Sequence, residues 1–382
     1  MNAYITGIGE TVRVRHLGAL HSTTSFMREA VQLALRDSGL SLGDIDGFAV
    51  ASFSLEPDRA IDLAWKLGLS VKWLLQDTNG GASAINMLGH AVRGLETGAA
   101  RNILILGGDT SRAADFAKRV NTYNTVTRDH LAPIDYGGPN SLFAMLTKRQ
   151  MRKFGLEKSD YGHLVVAQRR WAAGNPIAAF RTPLTMDDYL NAPMVADPLV
   201  RFDCVPVVGG ASAMIVTTKP QSGAAGVPVR VRAVRHRFNF DHQEGDGLTT
   251  GLGEVVADLW QTAGVGPSDM DLASLYDDYP AIVYAQLADL GLIPGDDIAK
   301  FAREVIARGK LPVNTGGGML SGGQAGCGSG VHIIAEVVRQ LQHRGGEPQV
   351  SDARFGVASG YGMALYRYCA CVGAAVLERG YT

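Results

Sequence analysis

The stretch QDTNGGASAINMLGHAV, residues 76–92, has the pattern of a strand end, a glycine turn and a helix start. A turn of this kind usually presents a nucleophile at a helix N-terminus, where the helix dipole favours an anion such as a thiolate. The hydroxyl group of Ser83 lies just after the glycines. A serine nucleophile needs an adjacent base, so a capping or packing role for Ser83 is the favoured interpretation.

The chain has four cysteines, and none of them lies in a CxxC pair that would indicate a metal site. Cys327, in the glycine-rich segment AGCGSG, is the best candidate for a reactive thiol. Free cysteines are more often buried spectators, so its catalytic use is only the alternative interpretation. No metal is expected.

Composition excludes several classes of function. The 382 residues are 46% apolar and 19% charged, with a net charge of −1. Without a basic patch, nucleic acid is not expected as a partner. No apolar run reaches the roughly 18 residues that a membrane span needs, and the N-terminal segment MNAYITGIGE is not a secretory signal. We therefore expect a cytoplasmic protein with no membrane partner.

Short β-rich runs alternate with helical patterns along the chain, which predicts an α/β fold. The pattern runs from residue 1 to about 220 and includes a more charged and aromatic segment at about 110–200. A linker, QSGAAG (221–226), precedes a second round of strands and helices over 227–382. Two similar α/β halves are the predicted domains.

Four segments together give a resemblance to a known family. They are NGGASA (79–84), NPIAAFRTPLTMDDYL (175–190), LYDDYP (275–280) and VNTGGGMLSGGQAGCGSG (313–330). In order and spacing they resemble the thiolase superfamily, especially the branch related to the sterol-carrier-protein thiolases. The resemblance implies two halves in a five-layered α-β-α-β-α arrangement, with a loop domain at about 110–200 inserted in the first half. It also implies a CoA-thioester substrate, a homodimer, and no cofactor apart from the coenzyme A of the substrate.

The sequence departs from that family at all four usual catalytic positions. The nucleophilic cysteine is replaced by Gly81, and the histidine of the family's Gly-His-Pro loop by Gln324. Tyr276 stands where a histidine or asparagine is expected. The last family cysteine falls near a predicted turn at 358–362, which has no cysteine.

Without the cysteine a covalent acyl intermediate is excluded at position 81, but retro-aldol cleavage of a bulky β-hydroxyacyl-CoA needs none. That reaction needs a base, a proton donor and dipoles that stabilise an enolate. Tyr276, Tyr361 and Gln324 are the candidate catalytic residues, and the sequence leaves open which tyrosine is the acid and which the base. The candidate substrate-binding or oxyanion residues are Gly81, Ser83, Asn314 and Gly362.

The sequence is similar to the lipid-transfer-protein-like aldolases of steroid side-chain degradation, a branch that lacks the cysteine and uses tyrosines. The similarity implies a small OB-fold, zinc-ribbon partner subunit. Two alternatives stay open: a thiolase-type acyltransferase with an unorthodox nucleophile, Ser83 or Cys327, and a non-catalytic subunit paired with an active thiolase.

Overall fold

The structure is a computed structural model that describes residues 2–110, 112–219 and 223–380. The strands are β1 (Tyr4–Glu10), β2 (Gly47–Ala51), β3 (Trp73–Asp77), β4 (Asn102–Asp109), β5 (Met194–Ala196), β6 (Leu199–Val200), β7 (Gly210–Thr217), β8 (Val229–Phe238), β9 (Leu272–Leu275), β10 (Phe355–Ala364) and β11 (Cys369–Arg379). The α-helices are α1 (Thr23–Ser38), α2 (Ala60–Leu67), α3 (Ser83–Glu96), α4 (Ala113–Asn121), α5 (Pro139–Phe154), α6 (Lys158–Ala173), α7 (Met186–Leu190), α8 (Val256–Ala263), α9 (Pro280–Asp289), α10 (Ile298–Phe301), α11 (Gly318–Gly322) and α12 (Gly328–Leu341).

Nine strands form one hydrogen-bonded sheet in the order β3-β2-β4-β7-β1-β8-β11-β10-β9. The first five strands precede the predicted linker and the last four follow it. They are joined where β1 pairs with β8, with Tyr4 opposite Arg230. The two groups of strands are therefore continuous through main-chain hydrogen bonds, a detail that the sequence did not predict.

The layers follow from which helices pack on which strands. Helices α1 and α2 cover the outer face of β2, β4 and β7 with apolar side chains. Helices α3 and α12 contact strands of both groups, and α8 packs against β8 and β11. The order α-β-α-β-α that the family resemblance implies is therefore present, with α3 and α12 as the central layer.

The central helix α3 carries small residues where the two sets of strands press on it. A Cβ on Gly89 would lie 2.8 Å from the ring of His236 in β8. A Cβ essentially never lies closer than 3.0 Å to an atom it is not bonded to, so a larger residue would push the helix and the strand apart. Gly89 thus allows α3 to lie close against β8.

Buried charges tie the central layer to β1. The carboxylate of Glu10 forms ion pairs with Arg13 and with Arg339 of α12, and it is hydrogen-bonded to Nδ1 of His332 in the same helix at 2.8 Å. His332 therefore packs in a structural network, as its place in a helix indicates.

Two local predictions need correction, and one lies partly outside the described chain. The segment RFGVASGYG (354–362) has the pattern of a strand, which β10 confirms, and residues 358–362 are therefore the middle of a strand that pairs with β11 and β9 and not a turn. The segment ASLYDDY (273–279) also has the pattern of a strand, but β9 ends at Leu275. The first two residues of the predicted linker, 221 and 222, lie outside the described residues, and the predicted domain boundaries stay predictions.

In the described ranges, no helix is long and apolar enough to cross a lipid bilayer.

Candidate active site

The space in front of Gly81 is filled by a tyrosine ring. A Cβ built on Gly81 would lie 2.2 Å from Cε2 and 2.3 Å from Cζ of Tyr276, and 2.4 Å from the carbonyl oxygen of Tyr361. Any side chain at position 81 would overlap the phenol of Tyr276. The glycine and the tyrosine therefore belong together, because the ring occupies the place that a nucleophile at 81 would need.

The backbone of Tyr276 is fixed at the end of β9. Its N–H donates to the carbonyl of Ser359 at 2.9 Å, and its carbonyl accepts a hydrogen bond from Gln286 at 2.8 Å. Gln286 is fully buried, and its side-chain oxygen accepts from the hydroxyl of Ser359. Main-chain and buried side-chain bonds thus hold the ring against the turn at residues 79–82.

One amide group connects the phenol to a carboxylate. Nε2 of Gln324 donates to the hydroxyl oxygen of Tyr276 at 2.9 Å and to Oδ1 of Asp278 at 2.6 Å. Gln324 is itself held by its N–H, which donates to the carbonyl of Pro206. Tyr276, Gln324 and Asp278 therefore form one hydrogen-bonded group.

The two adjacent aspartates point in different directions. Asp277 is fully buried and accepts hydrogen bonds from the N–H groups of Met319 and Leu320 and from Gln168. It holds the start of α11 and has a structural role. Asp278 is half-buried and faces the same side as Tyr276, as alternation of side chains in an extended segment requires.

Burial sets the protonation of this group. Desolvation, reinforced by the negative charge of Asp277, raises the pKa of Asp278 to about 7, against the opposing influence of Gln324 and Tyr276. Desolvation and the nearby Asp278 raise the pKa of Tyr276 well above its ordinary value. At neutral pH the phenol keeps its proton, whereas the carboxyl group exchanges a proton readily.

A largely apolar cavity of about 180 Å³, the central cavity, opens in front of these groups. Its walls come from both halves of the chain and from the segment 110–200. The polar or catalytic candidates on its surface are Gly81, Tyr276, Asp278, Gln324, Tyr361 and Gly362, and its apolar walls include Phe53, Phe116, Val120, Leu142, Phe143 and Met363. The structure thus brings together five of the residues that the sequence proposed.

Tyr361 reaches the central cavity from β10. Its hydroxyl oxygen accepts a hydrogen bond from the N–H of Cys369 at 3.3 Å, and burial raises the pKa of its phenol well above the ordinary value. The flanking glycines are needed because the strand passes directly over the turn. A Cβ on Gly362 would lie 2.0 Å from the carbonyl oxygen of Asn79.

Three predicted residues do not line the central cavity: Ser83, Asn314 and Cys327. The side-chain amide of Asn314 accepts a hydrogen bond from the N–H of Leu275 at 2.7 Å and donates one to the carbonyl of Leu275 at 3.0 Å. This geometry favours a structural role for Asn314. The hydroxyl of Ser83 is buried and has no hydrogen-bond partner among the described residues.

Thiol chemistry is disfavoured at every cysteine. Burial is the largest cause that raises the pKa of Cys327, and the neighbouring Asp109 raises it further. Burial also raises the pKa of Cys204 and of Cys371 to about 12, and that of Cys369 well above its ordinary value. A thiolate would therefore form at none of them near neutral pH.

Sequence reasoning missed Asp278 and Tyr123 as parts of the site. Alternation from Tyr276 puts Asp278 on the same side, which was the available signal. Tyr123 lines the central cavity from the connection after α4, and no sequence pattern indicates this. In the described ranges, no group of three or more His, Cys, Asp or Glu side chains is placed to hold a metal ion.

A second depression of about 990 Å³, the arginine groove, adjoins the central cavity. The two share Asn140, Cys204 and Val205 on their surfaces. The groove is lined by Arg15, Arg169 and Arg201 together with Phe180, Phe202, Asp187 and Asp188. The guanidinium groups stack on the aromatic rings: Arg15 lies 4.4 Å from the centre of Phe180, and Arg201 lies 5.0 Å from that of Phe202.

Comparison with known proteins identifies the family. Residues 233–374 match the family "Thiolase C-terminal domain-like". The chain is 30% identical to the 17-hydroxy-3-oxo-4-pregnene-20-carboxyl-CoA lyase of Mycobacterium tuberculosis, over 94% of this chain and 97% of that protein. It is 28% identical to the steroid side-chain-cleaving aldolase of Thermomonospora curvata, over 89% and 90%.

Solved structures show the same fold. The Ltp2-ChsH2(DUF35) aldolase matches with a TM-score of 0.80 and 24% identity, over 99% of this chain and 98% of that one. The human mitochondrial 3-ketoacyl-CoA thiolase in complex with CoA matches with a TM-score of 0.71 and 15% identity, over 99% and 98%. Fold and site thus define an enzyme of the thiolase type with an altered catalytic centre.

The chain belongs to the thiolase superfamily. This confirms the predicted family and fold, and relatives named as a lyase and an aldolase agree with the predicted class of enzyme.

We predict that Gly81→Ala destabilises the protein by about 1–3 kcal/mol, because the added methyl group overpacks the site against Tyr276. Combining it with Tyr276→Ala should recover part of the loss, since the ring is then gone and only the carbonyl of Tyr361 remains close. Chemical denaturation of the four proteins of this double-mutant cycle measures the coupling.

The matched control is Gly253→Ala, where the nearest atom to an added Cβ is Oδ1 of Asp289 at 3.9 Å. Additive effects of the two site substitutions, or equal effects of Gly81→Ala and Gly253→Ala, would contradict the packing described.

Proposed function

We propose that this chain cleaves the Cα–Cβ bond of a bulky β-hydroxyacyl-CoA by a retro-aldol reaction without a covalent intermediate. The observation that carries the proposal is the phenol of Tyr276 in the place of a nucleophile at 81. The raised pKa values of the thiols support it, because they leave no thiolate to hold an acyl group. We propose no cofactor apart from the coenzyme A of the substrate.

In this reaction the β-hydroxyl loses its proton, a ketone or aldehyde forms, and the bonding electrons move to the thioester as an enolate. The protonated phenol of Tyr276 can donate a hydrogen bond to the developing enolate oxygen. Such a donor acts most strongly in a water-poor cavity, where it needs no rearrangement as charge develops. Gln324 supports this role, since its amide fixes the oxygen of the phenol.

The substrate class follows from the walls of the central cavity and from the relatives. The cavity presents mainly apolar and aromatic side chains, which favour a hydrocarbon group over a polar one. The relatives' names mention a pregnene-carboxyl-CoA and steroid side chains. We therefore propose a steroid-like acyl group.

The coenzyme A part of the substrate is proposed to lie in the arginine groove. Guanidinium groups bind phosphate oxygens strongly, and Phe180 and Phe202 hold two of the arginines in place. The groove meets the central cavity at Asn140 and Cys204, so a pantetheine arm can connect the two.

Assembly is proposed on the exposed edge of the sheet. Strand β3 is one of the two edge strands of the sheet, and no other strand of the described residues pairs with its far side. Leu74 on this strand is 41% exposed, and Ile61 and Trp65 on the adjacent α2 are 62% and 79% exposed. An unpaired edge beside an apolar patch favours pairing with a second copy, so we propose a homodimer through β3.

A small OB-fold, zinc-ribbon partner is also proposed. The support is the similarity to the solved Ltp2-ChsH2(DUF35) aldolase, whose name joins Ltp2 to a second protein. Four free cysteines are compatible with a reducing cytoplasm, which we propose as the location.

We predict that the purified protein, alone or with a co-expressed partner, cleaves 17-hydroxy-3-oxo-4-pregnene-20-carboxyl-CoA or a related thioester. Tyr276→Phe should lower kcat by about 100-fold, because the enolate loses a donor. Chromatography of the ketone and acyl-CoA products measures this. Mass spectrometry of the protein during turnover should detect no acyl adduct.

Acylation of Ser83 or Cys327 at a rate matching turnover would instead establish the acyltransferase alternative. Full activity of Tyr276→Phe would remove the proposed role of the phenol. Activity found only when an intact thiolase is added would favour the non-catalytic subunit.

We predict that Arg15→Ala and Arg201→Ala each raise KM for the CoA thioester by about 10-fold and leave kcat within about twofold, since each loses a charge-assisted bond to a phosphate. Arg59→Ala, which removes an exposed arginine paired with Glu56 away from the groove, is the control. Unchanged KM in both groove variants would place the nucleotide elsewhere.

We predict that the wild-type protein sediments as a dimer at micromolar concentration and that Leu74→Glu combined with Trp65→Glu sediments as a monomer, because charges on the edge oppose strand pairing. Leu20→Glu, at a residue that is 92% exposed outside this edge, should remain dimeric. A monomeric wild type, or a dimer that survives the double substitution, would contradict the interface.

A further inference from the structure

We propose that Asp278 is the proton carrier of the reaction: its carboxylate takes the proton of the substrate β-hydroxyl and returns it to the α-carbon of the enolate. The inference rests on the retro-aldol function proposed above and deepens it. It assigns the base to a residue that neither the family's catalytic positions nor the relatives' names indicate.

The first support is the position of the carboxylate. Among the described residues that line the central cavity, Asp278 is the one with a carboxylate side chain. It is half-buried, so one side remains open to a molecule in the cavity, whereas the adjacent Asp277 is fully buried. Oδ1 of Asp278 is held by Gln324, which orients the group beside the phenol of Tyr276.

The second support is that the phenols are poorly suited to be bases. Burial raises the pKa of Tyr276, Tyr361 and Tyr123 well above the ordinary value of a tyrosine. A phenolate at Tyr276 or Tyr123 would also add a negative charge beside Asp278, which contributes to both shifts. These side chains are therefore better suited to donate hydrogen bonds than to act as the base.

The third support is the match between the carboxyl group and its task. Burial and Asp277 bring the pKa of Asp278 to about 7, close to a neutral working pH, where a general base is most effective. The negative charge of Asp278 helps to raise the pKa values of four neighbouring groups, which are therefore neutral at this pH. They are Tyr123, Tyr276, Tyr279 and Cys369. Asp277, whose own pKa is raised to about 6, contributes the neighbouring negative charge.

The proton that leaves the substrate hydroxyl returns to the product within the site. As the O–H bond breaks, the proton moves to Asp278, the C=O bond of the ketone forms and the Cα–Cβ bond breaks. The electron pair of that bond becomes the enolate, whose oxygen accepts a hydrogen bond from Tyr276. Asp278 then gives the same proton to Cα, so the enzyme ends in its starting state and no oxidant, reductant or further co-reactant is consumed.

The second half of this sequence can be tested without cleavage. If Asp278 protonates Cα, it must also remove an α-proton from the saturated acyl-CoA product in the reverse direction. Incubation of the protein with propionyl-CoA in D₂O should therefore exchange the α-hydrogens, as followed by NMR. Asp278→Asn, which keeps the shape but cannot carry the proton, should exchange at least about 100-fold more slowly.

The same variants are then compared in the cleavage assay. Asp278→Asn should lose kcat by about 100-fold with KM within about threefold, and Asp278→Glu should recover part of both activities. In the wild type, kcat should fall as pH decreases through about 7, because the carboxylate becomes protonated, and Asp278→Asn should lose this dependence. Asp115→Asn, at an exposed residue of α4, is the matched control and should behave as the wild type.

The two proposals fail in distinguishable ways. Exchange by Asp278→Asn within fivefold of the wild type overturns the assignment of Asp278, even if the wild type cleaves its substrate. A wild type that exchanges α-hydrogens but cleaves no β-hydroxyacyl-CoA overturns the retro-aldol function, whereas loss of that exchange in Asp278→Asn retains Asp278 as the proton carrier. A wild type with neither activity overturns both.

Discussion

The site depends on a steric exclusion: a side chain at position 81 and the phenol of Tyr276 cannot occupy the same space, and the chain has the phenol. This contact fixes the position of the Tyr276 hydroxyl. Gln324 donates hydrogen bonds both to that hydroxyl and to the carboxylate of Asp278. An enzyme with a thiolate here would hold an acyl group covalently. With a protonated phenol in that place, the same scaffold instead favours proton transfer and stabilisation of an enolate.

The scaffold makes this exclusion rigid because the site is built where the halves meet. The turn at residues 79–82 leads into α3, Tyr276 follows β9, and Tyr361 lies in β10 above the turn. Each is held by main-chain hydrogen bonds or by close backbone packing, and Gly362 has no room for a side chain. Burial then sets the protonation states. It keeps the phenols and thiols protonated and raises the pKa of the Asp278 carboxyl group to about 7.

Much of this could be predicted from the sequence, for physical reasons that are specific to the residues. The strand–turn–helix around Gly81 has strong local signals, and the loss of a nucleophile is visible as a missing side chain. Alternating strand and helix patterns predicted the α/β class, and the resemblance to the thiolases implied the layers. The stretch 358–362 was mistaken for a turn because its glycines serve close packing against residues 79–82, a tertiary contact that glycine spacing does not reveal.

The rest depends on distant parts of the chain coming together. Asp278 gains its raised pKa from burial, and its partner Gln324 lies 46 residues further along the chain. The arginine groove joins residues near 15, 169 and 201, which no local pattern connects. Asn314 was a plausible site residue until its amide was seen to bind the backbone of Leu275.

A crystal structure of the protein with a β-deoxy analogue of the substrate CoA thioester, which cannot be cleaved, tests the central claim most directly. The account predicts an intact, non-covalent ligand whose thioester oxygen lies within about 3 Å of the Tyr276 hydroxyl, a normal hydrogen-bond distance. An acyl group bonded to any side chain, or a ligand whose thioester lies away from Tyr276, would contradict it.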